Sequence, residues 1–197
     1  MHPPVVLVHG IWDSSERIAP LREALVARGF AGDRVIAIDL CPNDGSATIE
    51  TLAVQVRDQV SRVLAQFSCT SLDLVGFSMG ALTSRYFVHH YGRESVRRFV
   101  SISGPHHGTL TALALPRAGL RQMRPNSAFL RALREHPSPW DQVELHTVWT
   151  PFDLMIVPAR SSHLPEAKSE LVVPVKLHRW MLHDRRVLDH VADTLRG

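Results

Sequence analysis

Gly76-Phe77-Ser78-Met79-Gly80 stands between two segments of opposite character. Before it, Leu72-Asp73-Leu74-Val75 is a short apolar run of the kind that forms a buried strand. After it, Ala81-Leu82-Thr83-Ser84-Arg85-Tyr86-Phe87 reads as a helix. A strand that turns into a helix within five residues brings backbone against backbone, so a side chain at position 76 or 80 would collide with the neighbouring strand or helix. Glycine at both positions meets that demand. The turn lifts the Ser78 hydroxyl above the sheet and places the Met79 N–H beside it, at a helix N-terminus that favours negative charge. Strand, G-x-S-x-G and helix in this order make a nucleophile elbow, the turn that presents a serine to an acyl carbon in serine hydrolases.

The rest of the chain supplies a frame for such a turn. Apolar, β-branched runs alternate with helical segments, which predicts an α/β fold of about six mostly parallel strands with helices on both faces, in one domain over 1–197. Strands are expected at Pro4–Val8, Val35–Leu40, Leu72–Val75, Val96–Ser101, Val143–Trp149 and Leu171–Leu177. Helices are expected at Ser15–Arg28, Ile49–Phe67, Ser78–Tyr91 and Arg185–Arg196, the last with Asp184 as N-cap and Val187, Leu188, Val191 and Leu195 as its buried stripe. The least regular stretch, Gly104 to Pro139, holds a helix-like Asn126–Arg134 segment and is expected to roof the site.

Composition narrows the function classes. With 197 residues, 45% of them hydrophobic, the chain can bury one sizeable core, and it has no apolar run of membrane-spanning length, so no stable membrane insertion is expected. A net charge of +3 is spread over scattered arginines, without the aromatic-flanked basic stripe that nucleic-acid binding needs. The two cysteines, Cys41 and Cys69, fall at opposite edges of the expected sheet, too far apart for a disulfide. Free thiols, and no basic and apolar leader before the first strand, point to a cytoplasmic location. Histidine is abundant, but the adjacent pairs His89-His90 and His106-His107 point to different faces, and no H-E-x-x-H or C-x-x-C occurs. No metal and no other cofactor is expected.

A serine hydroxyl needs a general base, and the base needs an orienting acid. In parallel α/β sheets the site forms at the carboxyl ends of the strands, so each partner should follow a strand. Asp153 does, in the apolar setting Thr150-Pro151-Phe152-Asp153-Leu154-Met155-Ile156. Asp141 precedes its strand and Asp39 comes before the serine in the chain, so neither fits. For the base, His178 is expected directly at the end of the last strand, with His183 as the alternative if the loop folds back. The oxyanion hole needs two N–H groups aimed at one point. Met79 offers one, and Ile11, after the glycine of His9-Gly10-Ile11, offers the other. Trp12, Phe77 and Trp180 are candidate walls of a substrate pocket, with core or rim packing as the competing reading.

These residues resemble the α/β-hydrolase fold, and within it the small bacterial lipase/esterase group, including the lidless minimal members. The resemblance covers nearly the whole chain. Val5-Val6-Leu7-Val8-His9-Gly10-Ile11 matches the family's oxyanion strand and loop, and Leu74-Val75-Gly76-Phe77-Ser78-Met79-Gly80 its elbow. Where the family usually has histidine before the serine and a second glycine after the elbow, this chain has Phe77 and Ala81. Ser103-Gly104-Pro105-His106-His107-Gly108-Thr109 resembles a cleft-lining motif whose histidines are structural. The resemblance also implies a catalytic histidine nine residues before the first apolar residue of the last helix; counting back from Val187 reaches His178.

Together these readings point to a carboxylic ester hydrolase with a Ser78–His178–Asp153 triad and a small-molecule or lipid ester as substrate. An acyltransferase, thioesterase or lipid deacylase would use the same residues, and a non-catalytic binding member of the fold would keep the frame with an unreactive Ser78. Oligomeric state has no signature in the sequence.

Overall fold

The computed structural model describes residues 2–197. Six strands form one sheet: β1 (Val5–Val8), β2 (Val35–Ile38), β3 (Leu72–Phe77), β4 (Val96–Ile102), β5 (Glu144–Trp149) and β6 (Ser169–Val172). They lie in the order β2-β1-β3-β4-β5-β6, and every adjacent pair is parallel. The helices are α1 (Ala19–Ala27), α2 (Ile49–Phe67), α3 (Met79–Phe87), α4 (Ala118–Gln122), α5 (Ala128–Glu135) and α6 (Arg185–Arg196). This is the doubly covered parallel sheet that the alternating pattern predicts, and it is an α/β-hydrolase fold.

The two-residue period of the strands sorts the core into two layers. Val6, Val8, Leu72 and Leu74 pack with Leu52, Val56 and Val60 of α2 and Leu82 of α3. Val5, Leu7, Val75 and Phe77 face the other way, onto Leu21 and Leu25 of α1 and Val187, Val191 and Leu195 of α6. Strands buried on both faces read as continuous apolar runs, which is why they are visible in the sequence. Among the described residues, no helix is long and apolar enough to cross a membrane.

Several boundaries differ from the sequence expectation. α1 begins at Ala19, not Ser15, because Pro20 has no N–H with which to continue a helix from the preceding turn. α3 ends at Phe87 and passes into a wider turn, Val88–Gly92, with a π-type hydrogen-bond pattern. Leu188 on α6 is only half-buried, and Ala192 completes the buried stripe. The largest difference is β6, which ends at Val172 and does not reach Leu177. Pro174 cannot donate to the ladder. Beyond it, Thr150 holds the chain by side-chain bonds, its Oγ1 accepting from Val175 N at 3.2 Å and donating to Val175 O at 2.6 Å.

Candidate active site

The carboxyl ends of β1, β3, β4 and β5 open onto one cleft, and the elbow sits at its centre. Ser78 has φ 56° and ψ −125°, a conformation that a non-glycine residue holds only when its surroundings enforce it. Two glycines enforce it. A Cβ at Gly76 would lie 2.6 Å from Ala81 Cα, and one at Gly80 would run into the carbonyls of Val8 and His9. The start of α3 is thus pressed against the backbone that leads into the loop after β1.

That loop carries Ile11, whose N–H is the second one expected from the sequence. His9 is buried and fully engaged: Nδ1 donates to Gly10 O at 2.8 Å and Nε2 accepts from Leu40 N at 3.0 Å. It therefore ties the ends of β1 and β2 together and is not free to act as a base. Trp12 takes φ 57° and its N–H goes to Asn43 O at 3.0 Å. The Ile11 N–H has no acceptor among the described residues, and the Met79 N–H, at the first position of α3, has no helical partner. Ile11, Met79 and Ser78 line the same cavity.

The acid loop follows β5. Asp153 is buried; Oδ1 accepts from Met155 N and Ile156 N, each at 2.9 Å, and Oδ2 accepts from His178 Nδ1 at 2.7 Å. That last bond sets His178 in the tautomer with its proton on Nδ1. Its Nε2 is buried and has no hydrogen-bond partner among the described residues. The imidazole packs on Phe77 with ring centroids 4.8 Å apart, and His178 lines a cavity with Ser78. His178 does not stand at the end of a strand, as expected, but in a 3-10 turn over His178–Leu182. His183 is exposed and lies in a different groove with Pro174, Val175, Trp180 and Asp184. Trp180 is in that groove too, so of the candidate pocket walls only Trp12 and Phe77 face the cleft.

Two connected cavities meet at Ser78. One, about 480 Å³, is lined mainly by apolar groups: Ile11, Trp12 and Met79, then Pro105, Ala114, Leu115, Leu120, Met123, Met155 and Ile156. The other carries His178, Asp13 and Arg179. The stretch expected to roof the site does so only in its first half: residues between 105 and 123 wall the apolar cavity, whereas α5 sends Leu130 and Leu133 into the core. Thr109, the end of the cleft-lining motif, and Thr111, absent from the sequence reading, both donate to Met155 O, at 2.8 and 2.7 Å, and so pin the Asp153 loop to the wall. His106 is structural, as the resemblance implies. It is buried against Ser101 Oγ at 2.7 Å, and burial holds its pKa well below the ordinary value. Asp39 is held by Ser15 and Asp141 by Arg93, and neither lines the cleft.

Residues 4–141 match the model of the palmitoyl protein thioesterase family. The chain belongs to that family. The matched span includes Ile11, Ser78 and Met79 and stops before Asp153 and His178, whose pairing rests on the geometry above. Similarity to curated relatives is modest. The chain is 27% identical to palmitoyl-protein thioesterase 3 of Dictyostelium discoideum over 106 residues, covering 53% of this chain and 36% of the relative. It is 32% identical to a triacylglycerol lipase of Pseudomonas fragi over 149 residues, covering 68% and 48%. The chain thus spans about a third to a half of the length of these relatives. Among solved structures, the mature form of the Bacillus licheniformis lipase BlEst2 superposes with a TM-score of 0.81 at 17% identity, over 98% of this chain and 92% of that one. At that identity the likeness is one of fold.

Proposed function

We propose that this member of the palmitoyl protein thioesterase family hydrolyses carboxylic esters through an acyl-enzyme intermediate. Ser78 attacks the carbonyl carbon. His178 Nε2 accepts the hydroxyl proton and delivers it to the leaving oxygen, while Asp153 holds the tautomer and stabilises the imidazolium. The N–H groups of Ile11 and Met79 receive the oxyanion. The observation that carries this reading is the 2.7 Å bond from His178 Nδ1 to a buried Asp153, which leaves an unpartnered Nε2 on a ring that lines the same cavity as Ser78.

The apolar cavity beside Ser78 is the place for an acyl chain. Trp12, Leu115 and Met155 are exposed at its mouth, which suits an apolar substrate entering from outside. A second reading, thioester hydrolysis with the same residues, is favoured by the family match and by the thioesterase among the relatives. The unpaired thiols of Cys41 and Cys69 support a reducing, cytoplasmic setting.

Exposure to a fluorophosphonate followed by peptide mass spectrometry tests the assignment. One stoichiometric adduct on the Ser78 peptide is expected; a folded chain that takes no adduct would overturn the hydrolase reading. Matched butyrate esters and thioesters, assayed side by side in water with and without an added alcohol, then separate esterase, thioesterase and acyltransferase.

A further inference from the structure

A second carboxylate faces the cleft, and the proposed reaction does not use it. The Asp13 side chain is 5% exposed, and its Oδ1 has no hydrogen-bond partner among the described residues. Among the described residues its one ionic neighbour is Arg179, whose Nη2 lies 3.4 Å from Oδ1, outside good hydrogen-bond range, on a side chain that is itself 54% exposed. The backbone around Asp13 is held: its N–H goes to Gly10 O at 3.3 Å, and its carbonyl accepts from the Asn43 side chain. The carboxylate is also close to the nucleophile. The point that a Cβ on Gly10 would occupy is 3.5 Å from Asp13 Oδ2 and 3.0 Å from Ser78 Cβ. A buried carboxylate is stable only when its oxygens are paired or hydrogen-bonded; Oδ1 has only the long contact with the exposed Arg179, and Oδ2 is the oxygen on the Ser78 side, so this carboxylate has room for a further donor.

The layout of the cleft says which part of a substrate would bring that donor. The cavity that holds Asp13 and Arg179 is the one His178 lines. The base returns its proton to the leaving atom, so the leaving group lies on the His178 side. The other cavity, largely apolar, is left for the acyl chain. On the leaving-group side an ionised carboxylate only accepts and a guanidinium only donates. A hydroxyl does both. An ammonium would face Arg179, and a phosphate would face Asp13.

We propose that Asp13 and Arg179 form an alcohol-side subsite that selects esters whose leaving group carries a free hydroxyl, as a polyol does. The hydroxyl donates to Asp13 and accepts from Arg179. This inference rests on the roles given above to Ser78 and His178.

The test compares kcat/KM for glyceryl monobutyrate, ethyl butyrate and butyrylcholine in the wild-type chain and in Asp13→Ala, Asp13→Asn and Arg179→Ala. Ratios taken within one variant cancel losses from folding or from the chemistry itself. The glyceryl-to-ethyl ratio is expected to fall about tenfold in Asp13→Ala, the range for a hydrogen bond to a charged group. It should fall less, in the same direction, in Asp13→Asn and Arg179→Ala. If Asp13→Ala does not fold, Asp13→Asn carries the same reading. An unchanged ratio in the Asp13 variants overturns the subsite, and a fall confined to the choline-to-ethyl ratio overturns the hydroxyl assignment. A wild-type chain that hydrolyses none of the esters and takes no fluorophosphonate overturns the hydrolase reading itself, a result distinct from active protein with unaltered ratios.

Discussion

Asp153 and His178 meet at 2.7 Å although one follows β5 and the other lies in a turn beyond β6. Thr150, three residues before Asp153, holds Val175, three residues before His178, by two hydrogen bonds. The loops that carry Asp153 and His178 are therefore fastened to each other at their roots. Asp153→Asn keeps the shape but favours the wrong tautomer of His178, and kcat for an aryl ester is expected to drop by roughly 10⁴-fold. A loss below tenfold would remove Asp153 from the triad.

Ser78→Ala is expected to abolish ester turnover with the fold intact. His178→Ala should be nearly as damaging, whereas His183→Ala, in a separate groove, should stay within about twofold of wild type. Comparable losses in the two histidine variants, measured as kcat/KM with far-ultraviolet circular dichroism as the folding control, would reassign the base.

The sequence announced some of these features and hid others, for identifiable reasons. α2 and α6 are readable to the residue because helical periodicity meets a sharp stop, and Asp184 caps α6 as expected, accepting from Arg186 N. The elbow is readable because Gly76 and Gly80 answer a steric need that is local in the chain. The end of β6 is not readable. Val173 and Val175 look like strand residues, yet Pro174 and the Thr150 side chain decide their pairing, and Thr150 is remote in sequence. The contacts of Asp13, Thr109 and Thr111 were invisible for a related reason. Ordinary loop residues acquire roles only once β1, β4 and β5 set their loops around one cleft.

Gly76→Ala places a methyl against Ala81 Cα, which is backbone and cannot swing aside. A destabilisation of at least about 2 kcal/mol is expected. A melting temperature within a degree of wild type would mean that the elbow yields more readily than its geometry implies.

Ala114 lines the apolar cavity at its exposed end. Ala114→Trp should leave butyrate hydrolysis within a few-fold of wild type and lower kcat/KM for long-chain aryl esters by at least about tenfold, since each lost methylene contact is worth on the order of 0.8 kcal/mol. An unaltered chain-length profile would place the acyl chain elsewhere.

His89 is buried beside Arg85, His90 and His136, with both ring nitrogens unpartnered among the described residues, and burial pushes its pKa down to about 3. The unfolded chain takes up this proton near pH 6.5 and the folded chain does not until about pH 3, so the contribution to stability is complete above 6.5 and shrinks as pH falls through that window. At pH 5 the loss amounts to about 2 kcal/mol. His89→Phe should flatten the fall in melting temperature between pH 7.5 and pH 5. A parallel fall in both proteins would assign the acid sensitivity to other groups.

The collision that glycine avoids at position 80 sets how the site will fail under heat. The first turn of α3 and the loop after β1 meet backbone to backbone, so Ser78, Met79 and Ile11 must shift as one piece. His178 stands on a separate turn, joined to that piece by ring packing on Phe77 and by the long ion pair from its neighbour Arg179 to Asp13. Thermal loosening is therefore expected to detune the proposed proton transfer while the proposed anion cradle is still whole. Near its upper working temperature the protein should still grip anionic transition-state mimics after turnover has faded.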